Sequence, residues 1–140
     1  MKKVVALLMV VVFCVSLCGC IKKPTKEELI VEANRYIATQ DASNDLYDID
    51  GEYTADYNGY FAIVSIDVDY LCSENNISDF EEVKEDVAAV EKNCEKEIGI
   101  FIDDTYADLS GIFEDSDVDV RVAYMNVYGK ITHFRMASQE

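Results

Sequence analysis

Residues 47 to 70 alternate apolar and acidic side chains about a central Asn58-Gly59, and no other segment constrains the fold as much. Tyr47, Ile49, Tyr53, Ala55 and Tyr57 fall on one side of an extended chain. Asp48, Asp50, Glu52, Thr54 and Asp56 fall on the other. Successive strand side chains point to opposite faces, so this strand has one buried and one wet face. Gly51 loosens it. Asn-Gly is the strongest short hairpin signal, because both residues reach the left-handed conformations of a two-residue turn. The return strand places Ala62, Val64, Ile66, Val68 and Tyr70 on one face. Ser65, Asp67 and Asp69 lie on the other, with Phe61 and Ile63 as apolar exceptions.

Helical patterns flank the hairpin. Thr25-Lys26-Glu27-Glu28 is a capping box, and Leu29, Ala33, Tyr36 and Ile37 follow at helical spacing, predicting a helix from about Thr25 to Gln40. Ser78-Asp79-Phe80-Glu81 reads as a second box. It opens a stripe through Phe80, Val83, Val87, Val90, Cys94, Ile98 and Phe101. Gly99 is the expected kink or end, and Thr105 to Phe113 repeats the pattern, as one bent helix or two. Val118, Val120, Val122 and Tyr124 then alternate with polar neighbours. After a turn near Tyr128-Gly129, Ile131 to Met136 forms a last strand with Phe134 and Met136 toward the core. The expected fold class is α+β: an antiparallel sheet of about four strands, helices packed on one face, order α-β-β-α-β-β.

The first residues are of another kind. Lys2-Lys3 precede an apolar run that closes on Leu17-Cys18-Gly19-Cys20. The segment resembles a bacterial lipoprotein signal peptide, with Leu17-Cys18-Gly19-Cys20 as its lipobox. The resemblance covers only the first twenty residues. It implies a diacylglycerol on the Cys20 thiol, cleavage before Cys20, and anchoring of the mature chain at the extracytoplasmic face of the cell membrane. Two or three acyl chains anchor stably where one does not. An uncleaved membrane helix competes with this reading, since Val4 to Ile21 reaches the short edge of a span. The expected organisation is a signal peptide at 1–19, the lipidated cysteine and a short tether at 20–24, and a single acidic domain at 25–140.

Lys2 and Lys3 are the only charges ahead of Cys20. The chain beyond it carries all 28 acidic residues against 10 of the 12 basic ones, a formal charge of −18. Nucleic acid and anionic lipid repel such a chain, so the partners expected to suit it are cations, basic proteins or basic peptides. Much of this charge serves as a solvated surface. Nine Tyr and six Phe argue against disorder. Cys72 and Cys94, the two cysteines past the lipobox, are expected to stay unpaired, with Cys94 in the core. A helix running back along the sheet from Ser78 carries Cys94 too far from Cys72 for a disulfide.

Catalytic chemistry has little to work with. His133 is the one histidine, placed by alternation with Ile131 and Arg135 on the solvent side, and nothing puts a nucleophile beside it. Asp45 to Glu52 superficially resembles a calcium loop, but counting back from Gly51 puts Leu46 first and Tyr57 twelfth, so the ligand frame fails. No cofactor is expected, and weak divalent-cation binding is the most these acidic loops support. Asn76-Ile77-Ser78 is a glycosylation sequon that more simply supplies a helix cap.

The candidate interaction face is Asp48, Asp50, Glu52, Asp56, Asp67 and Asp69 on the outer side of the hairpin. Asp119 extends it, and Arg121 and Arg135 interrupt it. The expectation is a non-catalytic binding or interaction domain anchored in the cell envelope. One alternative is an accessory or solute-sensing subunit of a membrane transporter or receptor, which an apolar cavity between helix and sheet favours. The other is a small hydrolase using acidic residues.

Overall fold

The computed structural model describes residues 22–137. The signal segment and Cys20 lie outside the described residues. A four-stranded sheet in the order β1-β2-β3-β4 is built from β1 (Tyr47–Thr54), β2 (Gly59–Ile66), β3 (Asp119–Met125) and β4 (Ile131–Met136). Helix α1 (Lys26–Ser43) precedes it. Between β2 and β3 come α2 (Val68–Asn75), a 3₁₀ turn (Phe80–Glu82), α3 (Lys84–Asn93) and α4 (Glu95–Ile112).

Helix α1 starts where its capping box places it. Thr25 Oγ1 accepts from the Glu28 amide at 3.3 Å, and the Thr25 amide donates to Glu28 Oε2 at 2.8 Å. Leu29, Ala33 and Ile37 are its buried stripe. Helices α1 and α4 touch each other and pack on the same side of the sheet. The core lies between, formed by Ile49, Ala62, Val64, Val120, Val122 and Tyr124 from the strands and by Ile98, Ile102 and Leu109 from α4.

The sheet is mixed, not purely antiparallel. β1–β2 and β3–β4 are antiparallel pairs, but β2 and β3 run parallel, with Ala62 opposite Val122. A parallel neighbour needs a long crossover, and the helical segment from Val68 to Ile112 supplies one. Both strands therefore start from the end of the sheet that carries the β1–β2 turn.

Three boundaries differ from the periodic reading. First, β1 stops at Thr54, and Ala55–Tyr57 wind into a 3₁₀ turn that ends on left-handed Asn58 (φ 44°). The loop is longer than a two-residue turn, so Ala55, Asp56 and Tyr57 leave the strand. Second, β2 stops at Ile66 because Asp67 caps a helix: its Oδ1 accepts from the Tyr70 amide at 2.9 Å. Val68, Asp69 and Tyr70 are thus helical. Third, the helical run breaks at Cys94 and not at Gly99. Ser78 does not cap it either, since Asp79 accepts from the Glu81 amide at 3.0 Å and caps only the 3₁₀ turn.

Strand β4 faces the opposite way from the expectation. His133 pairs with Tyr124 and Arg135 with Val122, so both share the helix-side face, while Phe134 and Met136 join Ala123 and Arg121 outside. A register irregularity at Tyr124/Met125 accompanies the reversal. The His133 ring lies against Gly99 of α4, where an added β-carbon would stand 3.6 Å from it, an ordinary van der Waals contact. Arg135 Nε pairs with Asp103 Oδ1 of α4 at 2.8 Å, so Arg135 does not interrupt the outer face.

Candidate functional site

The chain alternates between the two ends of the sheet. α1 runs from the tether end for roughly 27 Å, at about 1.5 Å per residue. β1 returns, β2 goes out again, and the short helices lie at the far end. Lys26 fixes the tether end: its Nζ donates to Asn58 Oδ1 at 2.8 Å and pairs with Asp117 Oδ1 at 3.4 Å. The same Asn58 oxygen accepts from Tyr53 Oη at 2.8 Å, and Asn58 Nδ2 donates to the Asp117 carbonyl at 2.8 Å. The start of α1, the β1–β2 turn and the approach to β3 are thereby tied together.

Four of the six predicted acidic residues collect at the far end. Asp48 and Asp50 are exposed near the start of β1, Asp67 caps α2, and Asp69 lies in its first turn. Asp41, near the end of α1, joins them while its Oδ1 accepts from the Ile49 amide at 3.0 Å. Lost hydration comes first among the causes that push the Asp48 carboxyl above its usual range. The negative charges of Asp67, Asp41, Asp50 and Asp69 add to it. Glu52 lies further along β1, opposite Phe61, and Asp56 sits in the turn at the tether end. The predicted face is therefore a cluster with two outliers.

The outer sheet face is less uniformly acidic than the pattern implied. Ile63 and Phe134 are exposed there, and Arg121 lies 5.3 Å above the Phe61 ring while paired with Asp119 at 2.9 Å. Asp119 is thus neutralised locally and does not extend the acidic cluster.

Beside the cluster, at the same end, an apolar cavity of about 320 Å³ opens between α2, α3, the start of α4 and the sheet. Leu46, Tyr47, Ile66, Leu71, Val87 and Ile98 are among its walls. Cys94 lines it too, half-buried, and both Cys94 and Cys72 carry free thiols. Tyr47 stacks on Phe101 at 5.5 Å and meets the edge of Tyr124 at 6.2 Å.

Glu91 is the buried polar residue in that wall, and sequence reading passed over it. Its side chain is buried, Oε1 accepts from Tyr124 Oη at 2.6 Å, and Oε2 accepts from the Val127 amide at 3.2 Å. Burial foremost, and then the Glu91 carboxylate, raise the Tyr124 hydroxyl far above the usual tyrosine range. The signal was present: Glu91 is four residues after Val87 and seven before Ile98, on the buried stripe, whereas Val90 is 55% exposed.

Among the described residues no three His, Cys, Asp or Glu side chains converge closely enough to hold a metal ion. None of the described helices is long and apolar enough to cross a membrane. His133 sits edge-on to Tyr124 at 6.2 Å, with Nδ1 3.2 Å from Thr132 Oγ1. No protein-family model, curated protein or solved structure matches the chain.

Proposed function

We propose that this chain is a lipid-anchored extracytoplasmic binding domain of the cell envelope, non-catalytic, that engages a basic protein or peptide with the end of the fold remote from its anchor. The observation that carries the reading is the gathering of Asp41, Asp50, Asp67 and Asp69 around Asp48 at that end. None of these five makes an ion pair among the described residues, where the pairs are Lys26–Asp117, Lys84–Glu81, Arg121–Asp119 and Arg135–Asp103. A carboxylate whose proton affinity is raised by neighbouring carboxylates, as that of Asp48 is, is relieved by an approaching cation, which favours association and speeds encounter.

The lipobox supports the anchor, and the Lys26 bridge supports the orientation. Few residues separate Cys20 from Lys26, so a lipid on Cys20 keeps the β1–β2 turn nearest the membrane. The acidic end is then roughly one strand length farther out, about 25 Å at 3.3 Å per residue.

The test is a crosslinked capture from native membranes with the intact chain. It is compared with a variant carrying Asp48→Asn, Asp50→Asn, Asp67→Asn and Asp69→Asn. Asn remains a competent helix cap at 67. A basic partner lost in the variant supports the reading, and a partner retained removes it. Cys20→Ser separately tests the anchor, which is wrong if membrane association is unchanged.

A second reading, a solute-sensing accessory subunit of a transporter or receptor, is favoured by the cavity.

A further inference from the structure

Glu91 is more than nine-tenths buried and is one of three polar residues, with Asp86 and Asn75, that line a mainly apolar cavity. Its partners, Tyr124 Oη and the Val127 amide, are both neutral donors. The ion pairs among the described residues leave it without a cationic partner. A buried carboxylate without a counter-charge is costly, and interiors that hold one normally pair it. Two hydrogen bonds fix the group's orientation while leaving it acceptor capacity, because an ionised carboxylate offers about four lone-pair sites.

The surroundings specify what would pair with it. Asp86 is exposed and also lines the cavity, adding a second carboxylate. The ring of Tyr47 forms another part of the wall, and an aromatic face attracts cations. Glu97 adds negative charge near Tyr47. The remaining wall is aliphatic apart from Asn75 and Cys94, and about 320 Å³ sits at the small end of ligand pockets, roughly 300–1,000 Å³.

We infer that this cavity is a binding site for a small organic cation, an amine whose compact apolar body fills the space between α2, α3 and the sheet and whose ammonium group pairs with Glu91. The site is separate from the acidic cluster and does not depend on it. Binding neutralises the buried charge and removes the ligand's apolar surface from water. An alcohol of the same shape gains only the second contribution, and a carboxylate meets like charge.

The experiment uses the full chain in nanodiscs of zwitterionic lipid. Phenethylammonium, 2-phenylethanol and 3-phenylpropanoate are titrated by calorimetry, with empty nanodiscs as the blank. The expected order is ammonium tightest, alcohol about tenfold weaker, and carboxylate undetectable, since a charged partner adds about that much to a hydrogen bond. Glu91→Gln brings the ammonium down to the level of the alcohol. Val90→Trp, at a largely exposed position lining the cavity, weakens both without altering Glu91 or the buried side chains of the core. The quadruple Asn variant of the acidic cluster leaves ammonium binding within about twofold if Glu91 is the partner. Equal affinity of all three probes, or indifference to both Glu91→Gln and Val90→Trp, overturns the inference. Ammonium binding lost in the quadruple variant but kept in Glu91→Gln also overturns it, and assigns the cation to the acidic end instead.

Discussion

Tyr124 Oη donates to Glu91 Oε1 at 2.6 Å, joining the second central strand to the helix that walls the cavity. Both groups are buried, so each is the other's means of satisfaction. Tyr124→Phe removes the donor and leaves the carboxylate with the Val127 amide. The expected loss of stability is about 1–3 kcal/mol, the cost of leaving a buried acceptor short of a partner. Equilibrium urea unfolding of the two chains measures it. A difference below a few tenths of a kcal/mol would show that water replaces the hydroxyl.

Gly51 is required by contact and not by flexibility. A β-carbon there would stand 2.6 Å from Tyr60 Oη and 2.8 Å from Ile37 Cγ1, where α1 lies against β1. Gly51→Ala is expected to destabilise by about 1–3 kcal/mol through overpacking. Tyr60→Phe removes the obstructing oxygen, together with its 2.8 Å bond to Asn34 Oδ1. The double variant should therefore lose less than the sum of the singles. Strict additivity in the double-mutant cycle would contradict the packing account.

The tyrosines set an alkaline limit. Burial foremost pushes Tyr60 up to about 12, and burial with the Asp108 hydrogen bond does the same for Tyr36. Tyr47 is also raised. In the unfolded chain these groups ionise near 10. Their contribution is fully present below pH 10 and is lost as pH rises from there through about 12, because the unfolded state releases protons first. Phenolate absorbance against pH should show a step above 10 that coincides with loss of the folded signal. A single step near 10 in the folded chain would contradict the buried packing.

Asp48 works in the same direction on the acid side. Its proton affinity is raised in the fold, so its contribution to stability is greatest at low pH and falls as pH rises through its folded value. Asp48→Asn should therefore stabilise the neutral-pH protein, by less than about 1 kcal/mol because the group is exposed. The gain should shrink in high salt as repulsion is screened. Thermal melts at two ionic strengths measure both effects, and a destabilised variant would show that Asp48 is not crowded.

Much of the architecture was legible because it rests on local chemistry. Thr25 and Glu28 marked the start of α1, and the alternation through Ile49, Val64, Val120 and Val122 marked the strands. What stayed hidden depends on single hydrogen bonds or on pairing across the sheet. Asp67 looks like a strand residue until its side chain caps Tyr70. The parallel pairing of β2 with β3 follows from the path of the crossover, which no periodicity encodes. His133 and Phe134 exchanged faces because a register irregularity at Tyr124/Met125 decides the side of an edge strand. Within the site, the carboxylates visible in the alternation were found, and four of them do gather. Glu91 was overlooked because an acidic residue on an apolar helix stripe reads as solvated until Tyr124 is seen to meet it.

The central claim is that the acidic end recognises a basic partner, and a titration with oligolysine tests it most directly. The full chain is held in zwitterionic nanodiscs, and binding is followed at low and physiological salt, for the natural sequence and for the variant with Asn at 48, 50, 67 and 69. The account predicts binding that weakens by about tenfold or more between the two salt levels and is largely abolished in the variant. Binding that survives the four substitutions would contradict it, as would binding indifferent to salt.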